Sequence, residues 1–149
     1  MTSKAYQMKP LRVVQSFLGY RVVRRLVVRR VSRVRGTQDH YERHRESARA
    51  VINERLHHFA TFYEVQYARV SIRNTSTRWG SCSSAGGLNF HYKIGLLPPS
   101  LMDYVIVHEV CHLIEMNHSR SFWVHVARTV PDYRQCRAAL KQYALTGEW

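Results

Sequence analysis

The sequence predicts an α+β fold in which a small, mainly antiparallel sheet is combined with an N-terminal helix, a metal-binding helix and C-terminal helices. Three observations lead to this class. Several segments carry apolar residues at helical spacing, two of the three short strand candidates between residues 69 and 92 alternate apolar with polar residues, and two histidines four residues apart lie within one of the helical segments. At 149 residues the chain is long enough for one domain with a hydrophobic core.

Residues 1–35 are predicted to form a basic N-terminal arm that precedes a domain over residues 36–149. The first 50 residues contain 13 Lys and Arg against 3 Asp and Glu, a net charge of +10, whereas the other 99 contain 10 against 7, a net charge of +3. Three interpretations of the arm remain open: a nucleic-acid contact, a contact with an anionic membrane, or a solvated segment that covers the domain.

The first helix is predicted over about residues 38–63, where apolar residues recur at helical spacing. Three short strands are expected next, over residues 69–73, 78–82 and 88–92, with a glycine pair forming the turn between the second and the third. Trp79 is assigned to the core rather than to substrate binding, because a large aromatic side chain within a strand is usually buried.

The following helix is predicted to begin after Pro98 and Pro99, with Ser100 as its N-cap and Asp103 completing a capping box. Asn117 is expected to end it in the left-handed conformation. The apolar residues that anchor this helix in the core are Met102, Val105, Ile106, Val110, Leu113 and Ile114.

The chemistry of the chain is concentrated in this helix. His108 and His112 lie four residues apart, hence on one helical face, and can chelate one divalent cation. His118 supplies a third nitrogen once the chain turns back beyond the helix end. A catalytic zinc site has three protein ligands and an open position for water, and Glu109 occupies the place of a general base for that water. We therefore predict zinc ligands at His108, His112 and His118, with Glu109 catalytic.

Two more helices are expected after His118. Ser119 is suited to cap the first of them, and Pro131 suits the first turn of the second. Their apolar residues recur at helical spacing: Phe122, Trp123, Val126, Ala127 and Val130 in the first, and Tyr133, Cys136, Leu140 and Tyr143 in the second.

These motifs together resemble the YgjP-like metallopeptidase family. The blocks that carry the resemblance are Thr77-Arg78-Trp79-Gly80-Ser81-Cys82, Gly87-Leu88-Asn89-Phe90, residues 103–112, Asn117-His118-Ser119, Phe122-Trp123 and Pro131-Asp132-Tyr133. They span most of the chain, from about residue 36 to about residue 140. The resemblance implies a zincin-like fold, similar to SprT-like and WLM proteases, in which His108, His112 and His118 bind zinc and Glu109 is catalytic. That family often has asparagine at the position of His91.

A peptide or protein substrate is expected, with Glu109 activating the zinc-bound water that attacks the peptide carbonyl. A second group must stabilise the oxyanion, and Tyr133, His125 and His91 are the alternatives. An edge strand, within residues 78–83 or 88–92, is expected to align an extended peptide by main-chain hydrogen bonds.

The alternative function is a non-catalytic, nucleic-acid-associated module with a structural zinc. Structural zinc sites are usually closed by a fourth protein ligand and do not need Glu109, so the enzyme is favoured. The histidine spacing also matches metzincins, but those proteins have glycine where Glu115 stands and a later methionine, whereas no methionine follows Met116.

A cytoplasmic location is expected from three features. No apolar run reaches the length of a transmembrane helix, and residues 1–10 lack the apolar region of a signal peptide. The chain has three cysteines, and an odd number does not suggest a disulfide framework.

Overall fold

The computed structural model describes residues 35–146. The basic arm predicted over residues 1–35 lies outside this range, apart from Arg35, and so do the three interpretations considered for it, a contact with nucleic acid among them. Within residues 35–146, no helix has both the length and the apolar character needed to cross a membrane.

The α+β class is confirmed: the described residues form four α-helices, one 3-10 helix and three strands. Every predicted helix and strand is present, with ends that differ from the predicted ones by a few residues. In chain order they are α1 (Gln38–Phe62), β1 (Arg69–Arg73), β2 (Gly80–Cys82), β3 (Gly87–His91), the 3-10 helix (Tyr92–Leu96), α2 (Pro99–Cys111), α3 (Arg120–Ala127) and α4 (Tyr133–Thr146).

The three strands form one sheet in the order β1-β3-β2, so β3 is central and β2 is an edge strand. β2 and β3 form the predicted antiparallel hairpin, whose turn contains Gly86 at a φ of 73°. β1 runs parallel to β3, with Val70 opposite Leu88. The sheet is thus mixed rather than mainly antiparallel, because the chain reverses direction once before β2 and again before β3.

α2 lies at the centre of the fold. It contacts α1, α3, α4 and β2, and nine of its 13 residues are buried. Ile106, Val107 and Val110 have no exposed surface, and Ile52 and Leu56 of α1 are equally buried. Burying a side chain of this size contributes roughly 1.5–3 kcal/mol, so α2 is held on all sides by apolar packing.

An ion pair joins α1 to α2 and corrects one prediction about Asp103. Nε and Nη2 of Arg55 donate to the two carboxylate oxygens of Asp103, at 2.7 and 2.6 Å. α2 begins at Pro99, and its N-cap Pro98 makes no side-chain hydrogen bond, so the capping box predicted at Ser100 is absent. A two-point bond to a guanidinium is stronger than a bond to one backbone N–H, which explains why Asp103 takes the ion pair.

Candidate metal centre

The buried helix α2 presents the first two histidines of the site. The helix ends at Cys111, and His112 is its C-cap in the right-handed helical conformation. His108 and His112 therefore keep the four-residue helical relationship, and their ring centroids are 4.9 Å apart. Because the helix is fixed by core packing, the two rings are held on a rigid element.

The chain reverses after α2 and brings His118 back towards the helix. The amide N–H of Glu115 donates to the carbonyl of Cys111 at 2.9 Å, which closes the last turn. The prediction that Asn117 adopts the left-handed conformation is wrong, because Glu64 is the one non-glycine residue with positive φ in the described range. The helix ends through the Glu115 hydrogen bond instead.

The segment after His118 starts α3 as predicted. The hydroxyl of Ser119 is the N-cap acceptor for the amide of Phe122, at 3.3 Å. The side-chain oxygen of Asn117 accepts from the amide of Ser119 at 2.9 Å, which fixes the turn at His118. Two local side chains, those of Asn117 and Ser119, thus set the position at which the third histidine returns.

The three predicted ligands meet in space. His108, His112 and His118 each place one ring nitrogen within 4.8 Å of the other two. Nε2 of His108 and Nε2 of His118 are 3.0 Å apart. Two nitrogens bound to one zinc ion in tetrahedral geometry are roughly 3.4 Å apart, given zinc–nitrogen distances of about 2.1 Å. The cluster therefore fits a single small divalent cation.

Neighbouring groups orient the rings. Nδ1 of His112 lies 3.1 Å from the carbonyl oxygen of Glu115, which accepts a hydrogen bond and so leaves Nε2 free for a metal. Phe122 stacks on His112 with ring centroids 4.5 Å apart. On the other side, Trp123 stacks on His118 at 5.7 Å. A carbonyl and two aromatic rings, rather than a carboxylate, thus hold the ligands.

Burial favours the neutral form of two histidines of the cluster, His108 and His118. It lowers the pKa of His108 to about 3, and the proximity of His112, His118 and Arg137 acts in the same direction. Burial, followed by His112 and Arg137, also lowers the pKa of His118. A metal binds the neutral imidazole, so these two side chains are ready to act as ligands at neutral pH.

Glu109 is almost enclosed, with 5% of its surface exposed. Burial raises its pKa to about 8, and the positive charge of Arg78 opposes this shift. A buried carboxyl with a pKa near neutrality can both take up and release a proton, which is the property of a general base or acid. The strand β2 lies directly against Glu109, since a Cβ atom added to Gly80 would be 2.6 Å from Oε1 of Glu109.

A cavity of about 430 Å³ opens beside these residues. Both His108 and Glu109 line it, together with Tyr104 of α2. Trp79 is half-buried, packs against the core and also lines this cavity, so it belongs to the core and to the site at once. The remaining lining residues are Thr77, Arg78, Gly80, Val105, Arg137, Leu140, Lys141 and Ala144.

None of the three alternatives predicted for the oxyanion-stabilising group lines this cavity. Tyr133 is stacked face to face on Trp123 with centroids 4.9 Å apart, and His125 lies on α3. His91 caps the 3-10 helix instead, because its Nδ1 accepts from the amide of Lys93 at 3.1 Å. Asparagine can accept the same hydrogen bond, which explains why both residue types suit this position.

Tyr104 is the site residue that sequence reasoning missed. It precedes His108 by four residues, the same spacing that relates His108 to His112, so the helical pattern contained the signal. Its ring centroid is 5.9 Å from that of His108. Burial raises its pKa to about 12, so its hydroxyl is protonated at neutral pH and can donate a hydrogen bond.

The α+β fold and the histidine cluster at the end of its central helix are those of a metallopeptidase domain. The chain belongs to the YgjP-like metallopeptidase family, whose domain model matches residues 21–143. This confirms the family that the motifs indicated.

Among solved structures, that of the metallopeptidase zymogen abylysin from Pyrococcus abyssi is similar in fold, with a TM-score of 0.57 and 23% sequence identity. The match covers 61% of this chain and 92% of the abylysin chain. Among proteins with curated descriptions, none matches significantly.

Proposed function

We propose that this protein is a zinc-dependent peptidase in which His108, His112 and His118 hold the ion and Glu109 is the general base. The observation that carries this proposal is the convergence of three imidazoles beside a buried carboxyl on one helix. Nitrogen donors of this kind suit zinc, which has no redox chemistry and serves hydrolysis. When bound, zinc lowers the pKa of water towards about 7 and polarises a peptide carbonyl.

Glu109 moves the proton in this reaction. Its carboxylate accepts a proton from the attacking water and then delivers it to the nitrogen of the leaving amine. Between these two steps the proton resides on a carboxyl oxygen, and the burial that raises the pKa of Glu109 to about 8 favours that protonated state. The enclosed position also limits exchange of this proton with solvent.

Tyr104 supplies the second interaction with the carbonyl oxygen. It lines the same cavity as His108 and Glu109, and its hydroxyl is protonated at neutral pH. A hydrogen bond from a fixed donor strengthens as negative charge develops on the oxygen, and the loss of such a donor typically lowers the rate about 100-fold or more. Tyr104 therefore takes the role for which the sequence left three other residues open.

The edge strand β2 aligns the substrate. Among residues 35–146, Gly80–Cys82 pairs with β3 on one side only, so the main-chain groups of its other side can take up an extended peptide. Gly80 lies against Glu109, so a peptide on this edge passes the general base. This arrangement favours residues 78–83 over residues 88–92, because β3 is central in the sheet.

A structural zinc site in a non-catalytic module fits these residues less well. A buried carboxyl costs free energy, and a structural site has no use for it. The cavity that Glu109 and His108 line also gives a substrate access, which a structural site does not need. Both observations favour catalysis.

The test combines metal analysis with peptide cleavage. Wild-type protein purified with zinc should contain one ion per chain and cleave unfolded protein substrates. Glu109→Gln preserves shape but cannot accept the proton, so it should retain zinc and lose at least about 1,000-fold in cleavage rate. Glu115→Gln makes the same change of charge on a residue outside the cavity and should behave like the wild type. Equal cleavage by wild type and Glu109→Gln would contradict the proposal.

A further inference from the structure

The cavity beside Glu109 contains an uneven distribution of charge. Three of its lining residues are cationic, namely Arg78 from the segment before β2, and Arg137 and Lys141 from α4. Glu109 is the one carboxyl group among the lining residues. The wall of this cavity therefore carries an excess of positive charge directly beside the proposed catalytic group.

Within residues 35–146, none of these three cations forms an ion pair with an acidic side chain. The ion pairs of the described residues involve Arg43, Arg45, Arg49 and Arg55, none of which lines the cavity. Arg137 is held instead by the face of Trp123, with its guanidinium carbon 5.6 Å from the ring centroid. The same ring stacks on His118, so Arg137 is fixed next to the histidine cluster.

Much of the rest of the wall is apolar. Val105 and Leu140 are buried side chains, and Trp79 and Tyr104 contribute aromatic surface. An apolar wall with cations at its rim can hold the methylene groups of a side chain and a terminal carboxylate at the same time. Lys and Arg side chains of a substrate would instead meet three like charges.

We propose that this cavity is a subsite for a carboxylate of the substrate peptide, next to the bond that is cleaved. The carboxylate has two sources, an acidic side chain within the peptide or the free carboxyl terminus. This inference rests on the proposed peptidase function, and it adds the class of substrate to it. Arg78, Arg137 and Lys141 recognise the carboxylate, and the apolar wall contacts the carbon atoms that carry it.

Matched peptides test the preference. Sets of peptides that differ by Glu, Gln or Lys at one position around the cleaved bond are compared by kcat/KM on the zinc-loaded full chain. At one position, kcat/KM for the Glu peptide should exceed that for the Gln peptide by about tenfold or more, and that for the Lys peptide by a larger factor. This preference should shrink as the salt concentration rises. Peptides that end in a free acid or an amide distinguish the two sources of the carboxylate.

Variants of Lys141 locate the preference in the cavity. Lys141→Glu should reduce the ratio of kcat/KM for the Glu peptide to kcat/KM for the Gln peptide by about tenfold or more. Lys141→Gln should reduce this ratio by less. Arg134→Glu makes an identical change of charge on the same helix, but Arg134 does not line the cavity, so the ratio should be that of the wild type. Melting curves identify any variant that is unfolded, and Lys141→Gln is the milder substitute in that case.

The outcomes separate this inference from the proposed function. Cleavage of Glu and Gln peptides at equal rates, with acid and amide termini also equal, overturns the subsite and leaves the peptidase intact. If no peptide is cleaved, the proposed function fails, and the same peptides are titrated against the intact zinc-loaded protein by calorimetry. Equal affinities for the Glu, Gln, acid and amide peptides would then overturn the subsite independently.

Discussion

Gly80 and Glu109 are packed so closely that no side chain fits between them. A Cβ atom on Gly80 would be 2.6 Å from Oε1 and 2.7 Å from Cγ of Glu109. The glycine lies on the edge strand β2, whereas the carboxyl is presented by α2. The missing side chain lets the strand approach the helix, so the strand proposed to align the substrate also confines the carboxyl group.

Gly80→Ala should impair catalysis without removing the metal. The added methyl group must displace the carboxyl or the strand, and a misplacement of about 1 Å can lower a rate about 100-fold. We expect a loss of that size in kcat with unchanged zinc content. Gly87→Ala in the same hairpin is the control, because the atoms nearest to its Cβ belong to the side chains of Ser83 and Arg69 and none belongs to Glu109. A normal kcat in Gly80→Ala would show that Glu109 tolerates the methyl group.

His118→Ala should weaken zinc binding. Loss of a direct ligand is expected to exceed the 10- to 100-fold loss that is typical when a group orienting a ligand is removed. The dissociation constant is measured by competition with a chelator of known affinity. His57→Ala removes an exposed imidazole from α1 and should bind zinc as the wild type does. Unchanged affinity in His118→Ala would remove this residue from the ligand set.

Tyr104→Phe should lower kcat by about 100-fold, because it deletes the proposed hydrogen-bond donor and retains the ring. The KM should change little if the hydroxyl acts mainly in the transition state. Steady-state kinetics on one peptide, with zinc content measured in parallel, provides both constants. A rise in KM at constant kcat would assign Tyr104 to substrate binding instead.

His91→Asn should make the protein less sensitive to acid. Burial, reinforced by the nearby charge of Lys93, lowers the pKa of His91 from 6.5 to about 4. Between these two pH values the unfolded chain binds a proton that the folded chain does not, so stability falls as the pH falls from 6.5 to 4. The contribution of this one group is about 3 kcal/mol. Asparagine removes the titration and keeps an acceptor for the amide of Lys93.

The measurement is the free energy of unfolding by urea at pH 7.5, 6 and 4.5, with chelator present throughout. Loss of the stacking between His91 and Tyr92, whose centroids are 4.8 Å apart, should lower stability by a constant amount at all three values. The informative quantity is therefore the difference in slope. Parallel curves for the two proteins would contradict the role assigned to His91.

If the basic arm contacts nucleic acid, removal of residues 1–35 should abolish that binding and leave zinc content and peptide cleavage intact. We propose this because the first 50 residues carry a net charge of +10, and arginines bind phosphates in a salt-dependent way. Gel shifts at low and moderate salt are paired with melting curves. A lower melting temperature with unchanged weak binding would instead indicate an arm that covers the domain. If the intact chain binds no nucleic acid even at low salt, the proposed nucleic-acid contact is wrong.

Much of the fold followed from short-range patterns. The spacing of apolar residues predicted all four helices, and alternation predicted the strands β1 and β3. The cap at Ser119 was also predictable, since a hydroxyl and the amide three residues later interact within one turn of chain. Two histidines four residues apart share a helical face in any helix, so their pairing needed no tertiary information.

Only the tertiary structure decided the features that depend on distant residues. Asp103 fitted a capping box locally, but Arg55, 48 residues earlier, is its partner. Likewise, the parallel pairing of β1 with β3, the close approach of Gly80 to Glu109 and the position of Arg137 beside His118 have no local signature. The physical reason is that the conformation of the backbone, and with it the spacing of side chains along a helix or strand, is set within a few residues. The burial of a side chain, the charges near it and its hydrogen-bond partner depend instead on which groups the folded chain brings together.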